Sequence, residues 1–287
     1  MTEDPLKDIK GSKSNCLSGR KIVLCVTGSI SAIESVELTR ELIRHGAEVC
    51  PVMTDSARHI IHPNVLEWAT GNRVVTKLSG KTEHIQLAGN WAGKADIILI
   101  APSTANTIGK IASGIDDTPI TAIALTGLGS RIPIIIAPSM HQPMYDNPIV
   151  VENVERLLKN GVQFVNPKID EGKAKMADVQ QIVGIVIRNL NGGELSGMKI
   201  VVTAGPTVEY IDPIRVISNR SSGKMGVALA LEASNRGAET TLIHGPGVNI
   251  PKGIDITVAI NTTEELHRAV TDRLQSEKCD IFISAAA

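Results

Sequence analysis

The stretch that most constrains the fold is Ile98–Gly114, reading ILIAPSTANTIGKIASG. An uninterrupted aliphatic run before a turn is the pattern of a parallel strand covered on both faces. Pro102 is expected to end that strand. Ser103, Thr104 and Asn106 then carry hydroxyls and an amide to its carboxyl end, where a helix begins. In open α/β sheets that edge is where ligands bind. The same residues also read as an ordinary Ser/Thr helix cap.

Composition supports this architecture. The 287 residues suggest two domains, and 43% are hydrophobic but only 2% aromatic. The cores must therefore be built from Ile, Val, Leu, Ala and Met, which suits parallel sheets and argues against a β-sandwich or a stacking-based binder of single-stranded nucleic acid. A formal net charge of −1 argues against nucleic-acid and anionic-membrane partners. Every apolar segment is cut by Pro, Gly or charge well short of a membrane span. The opening MTEDPLKDIKGSKSN lacks an apolar signal core and reads as a polar tail, a candidate for disorder. Cys16, Cys25, Cys50 and Cys279 match neither zinc nor disulfide spacing. They read as buried free thiols, Cys25 and Cys279 in strands, in a reducing cytoplasm.

Taken in order, Lys21–Thr27 is a first strand, followed by GSISAIES and a helix to about Arg44. Gly28, Ser29 and Ser31 put a close turn and two hydroxyls at a helix N-terminus. That arrangement suits a single phosphate, without the glycines a dinucleotide would want; a serine N-cap is the plainer reading. Glu48–Met53 is a second strand, and Thr54 begins the next helix. His84 lies in a polar stretch and reads as a surface or structural histidine. Asp117–Leu125 is a buried helix. Pro133–Ile136 is a strand ending in Ala137-Pro138-Ser139, a repeat of Ala101-Pro102-Ser103. Two such ends side by side make the lip of a site. Met140 and Met144 read as packing residues. Pro167–Met176 is charged and unpatterned, hence a mobile loop or lid. Asn191–Gly197 is Gly-rich and is expected to be a linker. Residues 198–287 then repeat strand, loop and helix, with Ser221-Ser222-Gly223 opening the helix at Lys224.

These residues resemble a known family. TGSISAIES, His84, APSTANTIGKIASGIDDT and PSMHQPM resemble the flavin-dependent cysteine decarboxylases. TAGPTVEYIDPIRVISNRSSGKMG, RGAETTLIHGP and the final AAA resemble a phosphopantothenate–cysteine ligase. Their union resembles the bifunctional coenzyme A biosynthesis proteins, in an archaeal-like form. The resemblance implies a polar tail over 1–18 and a flavodoxin-like, doubly wound parallel-sheet domain over 19–190. A linker over 191–197 and an incomplete Rossmann-like α/β domain over 198–287 follow.

The resemblance further implies FMN, its phosphate and ribityl chain on Gly28, Ser29, Ser31 and Thr54. Ser103, Thr104, Ala105, Asn106 and Ser139 would lie along the flavin ring. In that family the cysteinyl moiety of 4′-phospho-N-pantothenoylcysteine is oxidised to a thioaldehyde. This loses CO₂ because the carbanion is delocalised onto sulfur, and return of the electrons gives 4′-phosphopantetheine. His84 matches the family's essential histidine, as base or carboxylate partner, and Asn106 positions flavin and substrate. Two departures stand out. His141 occupies the asparagine place of a Pro-x-Met-Asn motif. The lid has Lys175 in the arginine place and no cysteine, so another group or water must donate the proton. For the ligase half the resemblance implies CTP and Mg2+, with phosphopantothenate and cysteine as substrates. Gly205, Ser221, Ser222, Gly223, Lys224 and Met225 would cradle phosphates, and Arg215 and Asn219 would sit at the reacting end. The chain is expected to stop short of the full ligase and to lack its activity. The family assembles as trimers or larger through the flavin domain and as dimers through the ligase half. Two readings from other classes are a flavin prenyltransferase and an FMN-binding regulatory subunit that inhibits a phosphatase.

Overall fold

The computed structural model of the chain describes residues 6–251, 253–276 and 278–287. It divides into two compact units, residues 1–186 and 187–287.

The first unit is a parallel sheet of Lys21–Val26 (β1), Glu48–Met53 (β2), Ile97–Ser103 (β3), Ile134–Pro138 (β4) and, beyond the short strand Met140–His141 (β5), Gln163–Phe164 (β6). Their spatial order is β2-β1-β3-β4-β6, and every pairing is parallel. That is the flavodoxin-like order, with the switch point between β1 and β3. The helices are Ser35–Arg44 (α1), Asp55–Arg58 (α2), Pro63–Thr70 (α3), Glu83–Ala88 (α4), Ala105–Ala112 (α5), Pro119–Gly129 (α6), Gln142–Tyr145 (α7), Pro148–Lys159 (α8) and Val179–Leu190 (α9).

Successive side chains along a strand point to opposite faces. Val23, Cys25, Ile98, Ile100, Ile134 and Ile136 pack with Ile108, Ile111, Ile120, Ile123 and Leu157 from α5, α6 and α8. The alternate residues Ile22, Leu24, Ile97, Leu99 and Ile135 are equally buried. The two-sided burial explains the aliphatic runs. β3 continues through Pro102 to Ser103 instead of stopping at the proline. Its pairing with β4 shifts register between Ile100 and Ser103.

The amino-terminal tail corrects a sequence expectation. Met1–Pro5 lie outside the described residues, but the segment that follows is docked. Leu17 is fully buried, and the Gly11 amide donates to the Ile43 carbonyl at 3.0 Å. Lys13 pairs with Glu41, which is buried and also takes Arg44 Nη1 at 2.9 Å. Burial alone would push the Glu41 carboxyl up; hydrogen bonds from Lys13, Gln180 and Arg44 bring it below its ordinary range. The cysteines also differ from expectation. Cys25 alone of the four is fully buried, and Cys279 precedes a strand instead of lying in one.

The expected lid loop is ordered as well. Lys168–Asp170 (β7) and Lys173–Lys175 (β8) form a hairpin, and β8 pairs antiparallel with β5. Glu171 and Gly172 both adopt positive φ, 49° and 69°, as a two-residue hairpin turn requires.

The second unit holds Lys199–Gly205 (β9), the antiparallel hairpin Val208–Tyr210 (β10) and Val216–Ser218 (β11), then Glu239–His244 (β12), Ile256–Ala259 (β13) and Ile281–Ala286 (β14). Four strands form a parallel sheet ordered β13-β12-β9-β14, with Lys224–Asn235 (α10) and Thr263–Ser276 (α11) as its helices. The division at 186/187 falls inside α9, and the Gly-rich segment expected as a linker packs onto this unit: the Leu195 amide donates to the Arg236 carbonyl at 3.0 Å.

Candidate functional site

The carboxyl ends of β1, β3 and β4 open onto a cavity of about 740 Å³. That is within the usual range for a small-molecule or cofactor site. Its wall carries Gly28, Ser29, Ser31, Thr104, Ala105, Asn106, Ser139, His141 and Lys175 among the residues expected from sequence. Ile30, Ile33, Glu34, Met140, Met144, Lys173 and Ala174 complete it. Met140 borders the cavity as well as packing against the core, and the half-exposed Met144 borders the cavity alone. The others were missed because their positions depend on how the 3₁₀ turn Ile30–Glu34 and the β7–β8 hairpin fold over the sheet.

Three hydroxyls converge at the switch point. Ser29 Oγ donates to Ser139 Oγ at 2.9 Å, and Ser139 Oγ donates to Ser31 Oγ at 2.9 Å. Ser29 stands at the N-cap of the 3₁₀ turn without using its side chain as a cap. These hydroxyls remain available as acceptors or, by rotation, as donors to an anion. The Ser139 amide donates to the Ser103 carbonyl at 2.9 Å, which ties β4's end to β3's. Thr104 caps α5 by accepting from the Thr107 amide, and its own amide donates to Thr27 Oγ1 at 3.0 Å. Asn106, in the first turn of α5, is exposed toward the opening.

Three expected residues sit elsewhere. Thr54 caps α2, its hydroxyl accepting from the Ala57 amide at 3.2 Å, and does not reach the cavity wall. Ser103 is fully buried behind the wall, its Oγ without a partner among the described residues. His84 lies on α4, which packs against α6 away from the cavity wall; its Nδ1 is buried and has no partner among the described residues. Gly28 is also explained differently: a Cβ there would lie 2.5 Å from that of Ser56, so α2 and not a ligand sets the limit.

Electrostatics divides the wall. Lys175 Nζ reaches Asp170 at 2.8 Å and Glu171 at 3.2 Å, and these carboxylates hold its ammonium more firmly protonated. The Glu34 carboxyl is pushed up by burial and by Asp178 and Glu37, against the pull of Lys168 and Lys175. A wall that combines hydroxyls, aliphatic and Met side chains and the cations Lys173 and Lys175 suits a planar ring bearing a phosphate.

In the second unit, Gly205 and Gly223 pack against each other and against Val248. Gly223 opens α10, while Lys224 and Met225 are exposed in its first turn. Ser222 and Asn219 are exposed and Ser221 is half-buried. Arg215 is engaged by Asp212, its Nε 2.6 Å from Oδ2, in the turn of the β10–β11 hairpin. Sequence reasoning treated that segment as plain loop.

The fold and cavity are those of a flavoprotein. Residues 10–191 match the Flavoprotein family, and residues 195–287 match the DNA/pantothenate metabolism flavoprotein C-terminal domain. The chain is 52% identical over 282 residues to the coenzyme A biosynthesis bifunctional protein CoaBC of Thermococcus kodakarensis, covering 98% of this chain and 70% of that one. Identity to the protein of that name from Methanocaldococcus jannaschii is 39% over 285 residues, with 99% and 68% covered. A solved FMN-dependent cysteine decarboxylase, SpaF, superposes with a TM-score of 0.54 at 30% identity over 61% of this chain and 97% of its own. The chain belongs to the family of bifunctional coenzyme A biosynthesis proteins.

Proposed function

We propose that the first unit binds FMN and decarboxylates 4′-phospho-N-pantothenoylcysteine to 4′-phosphopantetheine, within coenzyme A biosynthesis. The observation that carries this is the converging hydroxyl set Ser29, Ser31 and Ser139 at the switch point of the sheet. Bound FMN supplies a two-electron acceptor and donor, the hard chemistry of the reaction. The chain's residues bind and orient. The hydroxyls and the turn at Gly28 take the phosphate and ribityl chain, and Thr104, Ala105 and Ser139 lie along the ring. Asn106 positions substrate and flavin together. His141 faces the substrate where the family carries asparagine, and β7–β8 covers it from water. Purified protein should be yellow, contain FMN and release CO₂ from the named substrate. A colourless protein overturns the flavin assignment, and a yellow one that releases no CO₂ overturns the reaction.

The subunits associate through this domain, as a trimer or larger. Ile30 and Ile33 at the cavity mouth are exposed, as are Ile85 and Trp91 beside His84. Clustered exposed apolar side chains mark interaction surfaces. His84, away from its own chain's cavity, then serves a neighbour's as the base or carboxylate partner. The second unit belongs to the CTP- and Mg2+-dependent ligase half. There Gly205, Ser221, Ser222, Gly223, Lys224 and Met225 contribute to the phosphate end, with Arg215 and Asn219 at the reacting end; dimers form through it.

The proton that completes decarboxylation comes from a group other than cysteine. The hairpin contains no thiol, and burial pushes both Cys25 and Cys50 up, Cys50 to about 11. Cys25→Ala and Cys50→Ser should retain CO₂ release within about threefold. Loss of turnover in a variant with intact unfolding behaviour and FMN content would show a thiol at work.

A further inference from the structure

We propose that Cys16 is a modification site: a thiol served by His45 as base, which exchanges with low-molecular-weight disulfides and thereby releases the docked amino-terminal segment.

The site lies where α1 ends, at the edge of the sheet opposite the cavity, and shares no residue with the cavity wall. Ser14 Oγ stands 3.0 Å from Cys16 Sγ and 2.8 Å from His45 Nδ1, and Sγ is itself 3.8 Å from that nitrogen. The other ring nitrogen, Nε2, is 3.7 Å from Oε1 of the buried Glu41. Burial pushes the Glu41 carboxyl up, but hydrogen bonds from Lys13, Gln180 and Arg44 bring it below its ordinary range, so it is ionised at neutral pH. A carboxylate on the Nε2 side favours the tautomer protonated there. Nδ1 is then an acceptor facing the hydroxyl and the thiol. Nucleophile, base and orienting carboxylate follow one another as they do around activated nucleophiles.

The other thiols have no such base. Cys25 is fully buried. Cys50 Sγ donates to Glu48 Oε1 at 3.8 Å, and burial together with that carboxylate pushes the thiol up to about 11. Cys279 Sγ donates to the Ile281 carbonyl at 3.2 Å. Among the described residues Cys16 alone combines partial exposure with a neighbouring imidazole.

In the exchange His45 takes the Cys16 proton, directly or through Ser14 Oγ, and the thiolate attacks one sulfur of R–S–S–R. The new Cys16 S–S bond forms as the reagent's S–S bond breaks. The leaving thiolate takes the proton back from the imidazolium and departs as R–SH. Cys16 is oxidised and the departing sulfur reduced, with no further co-reactant. The attached R group must occupy the space between Ser14 and His45. The same residues anchor the segment. The Lys13 and Leu17 amides donate to the Arg44 and His45 carbonyls at 3.0 and 2.9 Å, and Leu17, beside Cys16, is fully buried. An adduct therefore parts the segment from α1.

The whole chain is incubated with glutathione disulfide, and the adduct at each cysteine is followed by peptide mass spectrometry. Cys16 should react about tenfold faster in the native protein than in the urea-unfolded chain, and faster than the other three thiols. A half-buried thiol without a base reacts more slowly when native, so a native rate at or below the unfolded one would overturn the proposal. His45→Gln keeps the backbone bond to Leu17 and should slow the native reaction about tenfold, with Cys50 and Cys279 unaffected. An unchanged rate at Cys16 removes the base and overturns it equally. The adduct should lower the melting temperature by several degrees, and dithiothreitol should restore it. Cys16→Ser protein given the same treatment should melt as it does untreated. A Cys16 adduct that melts like the unmodified protein refutes release of the segment.

Discussion

The His84→Asn protein is expected to be yellow and inactive. FMN content should match wild type, because His84 is not part of the cavity wall. CO₂ release should fall by about 100-fold or more, the usual scale for removing a positioned acid–base group. Asparagine retains hydrogen-bonding capacity in a smaller side chain, so α4 should stay packed on α6. The imidazole has a buried Nδ1 without a partner among the described residues, which is costly for a merely structural histidine. Co-expression tests where His84 acts. Ala105→Trp fills the cavity while leaving α4 intact. Mixed oligomers of His84→Asn and Ala105→Trp chains should recover part of the activity that neither has alone. Wild-type turnover in His84→Asn would remove the residue from the mechanism; absence of recovery in the mixture would place it within its own chain's site.

Gly245→Ala should destabilise the second unit by about 3 kcal/mol, at the upper end for overpacking a tight site. A Cβ on Gly245 would lie 1.7 Å from the Pro206 carbonyl oxygen and 2.8 Å from its carbon. The obstacle is backbone, so no rotamer relieves it. Gly245 also donates its amide to the Ala204 carbonyl at 2.9 Å, so moving it away breaks the bond that closes β12 onto β9. The contact arises because both strands end at the same level in register, His244 opposite Ala204. Calorimetric unfolding should show a transition lowered by several degrees, with FMN retained by the first unit. A thermogram identical to wild type would mean that the strand ends part without cost.

The parallel sheets were legible because their signal is local. Ile22–Leu24 and Ile97–Ile100 are aliphatic at every position since both faces are covered, and no neighbour need be known to see it. Helix starts were legible at Thr54 and Thr104, where a hydroxyl meets the first amides. The hairpins were not. β7, β8, β10 and β11 have three residues each, too few for alternation to register, and β8 is fixed by pairing with Met140–His141, more than thirty residues earlier in the chain. The x-Gly turn at Glu171-Gly172 was the available signal. α4 was missed for a related reason: Thr82, at its N-cap, sits at φ 53° and makes no side-chain cap bond. Within the candidate site, residues on the strand ends could be named from the sequence. Glu34 and Lys173 reach the cavity only through tertiary folding, and Thr54, Ser103 and His84 carry the right chemistry at positions that packing sets aside from it.

The docked amino-terminal segment bears on how the flavin domain can be prepared. Its first strand begins at Lys21, which invites a shortened chain starting at residue 19. Such a chain would lose Leu17 from its buried place and Lys13 from Glu41, a carboxylate whose side chain is only 2% exposed. Glu41 would keep Arg44 as its partner, and losing the buried Leu17 side chain costs about 2 kcal/mol. The shortened protein should express less well and melt earlier than one that keeps residues 6–18, and purification tags are better placed ahead of that segment than in its stead.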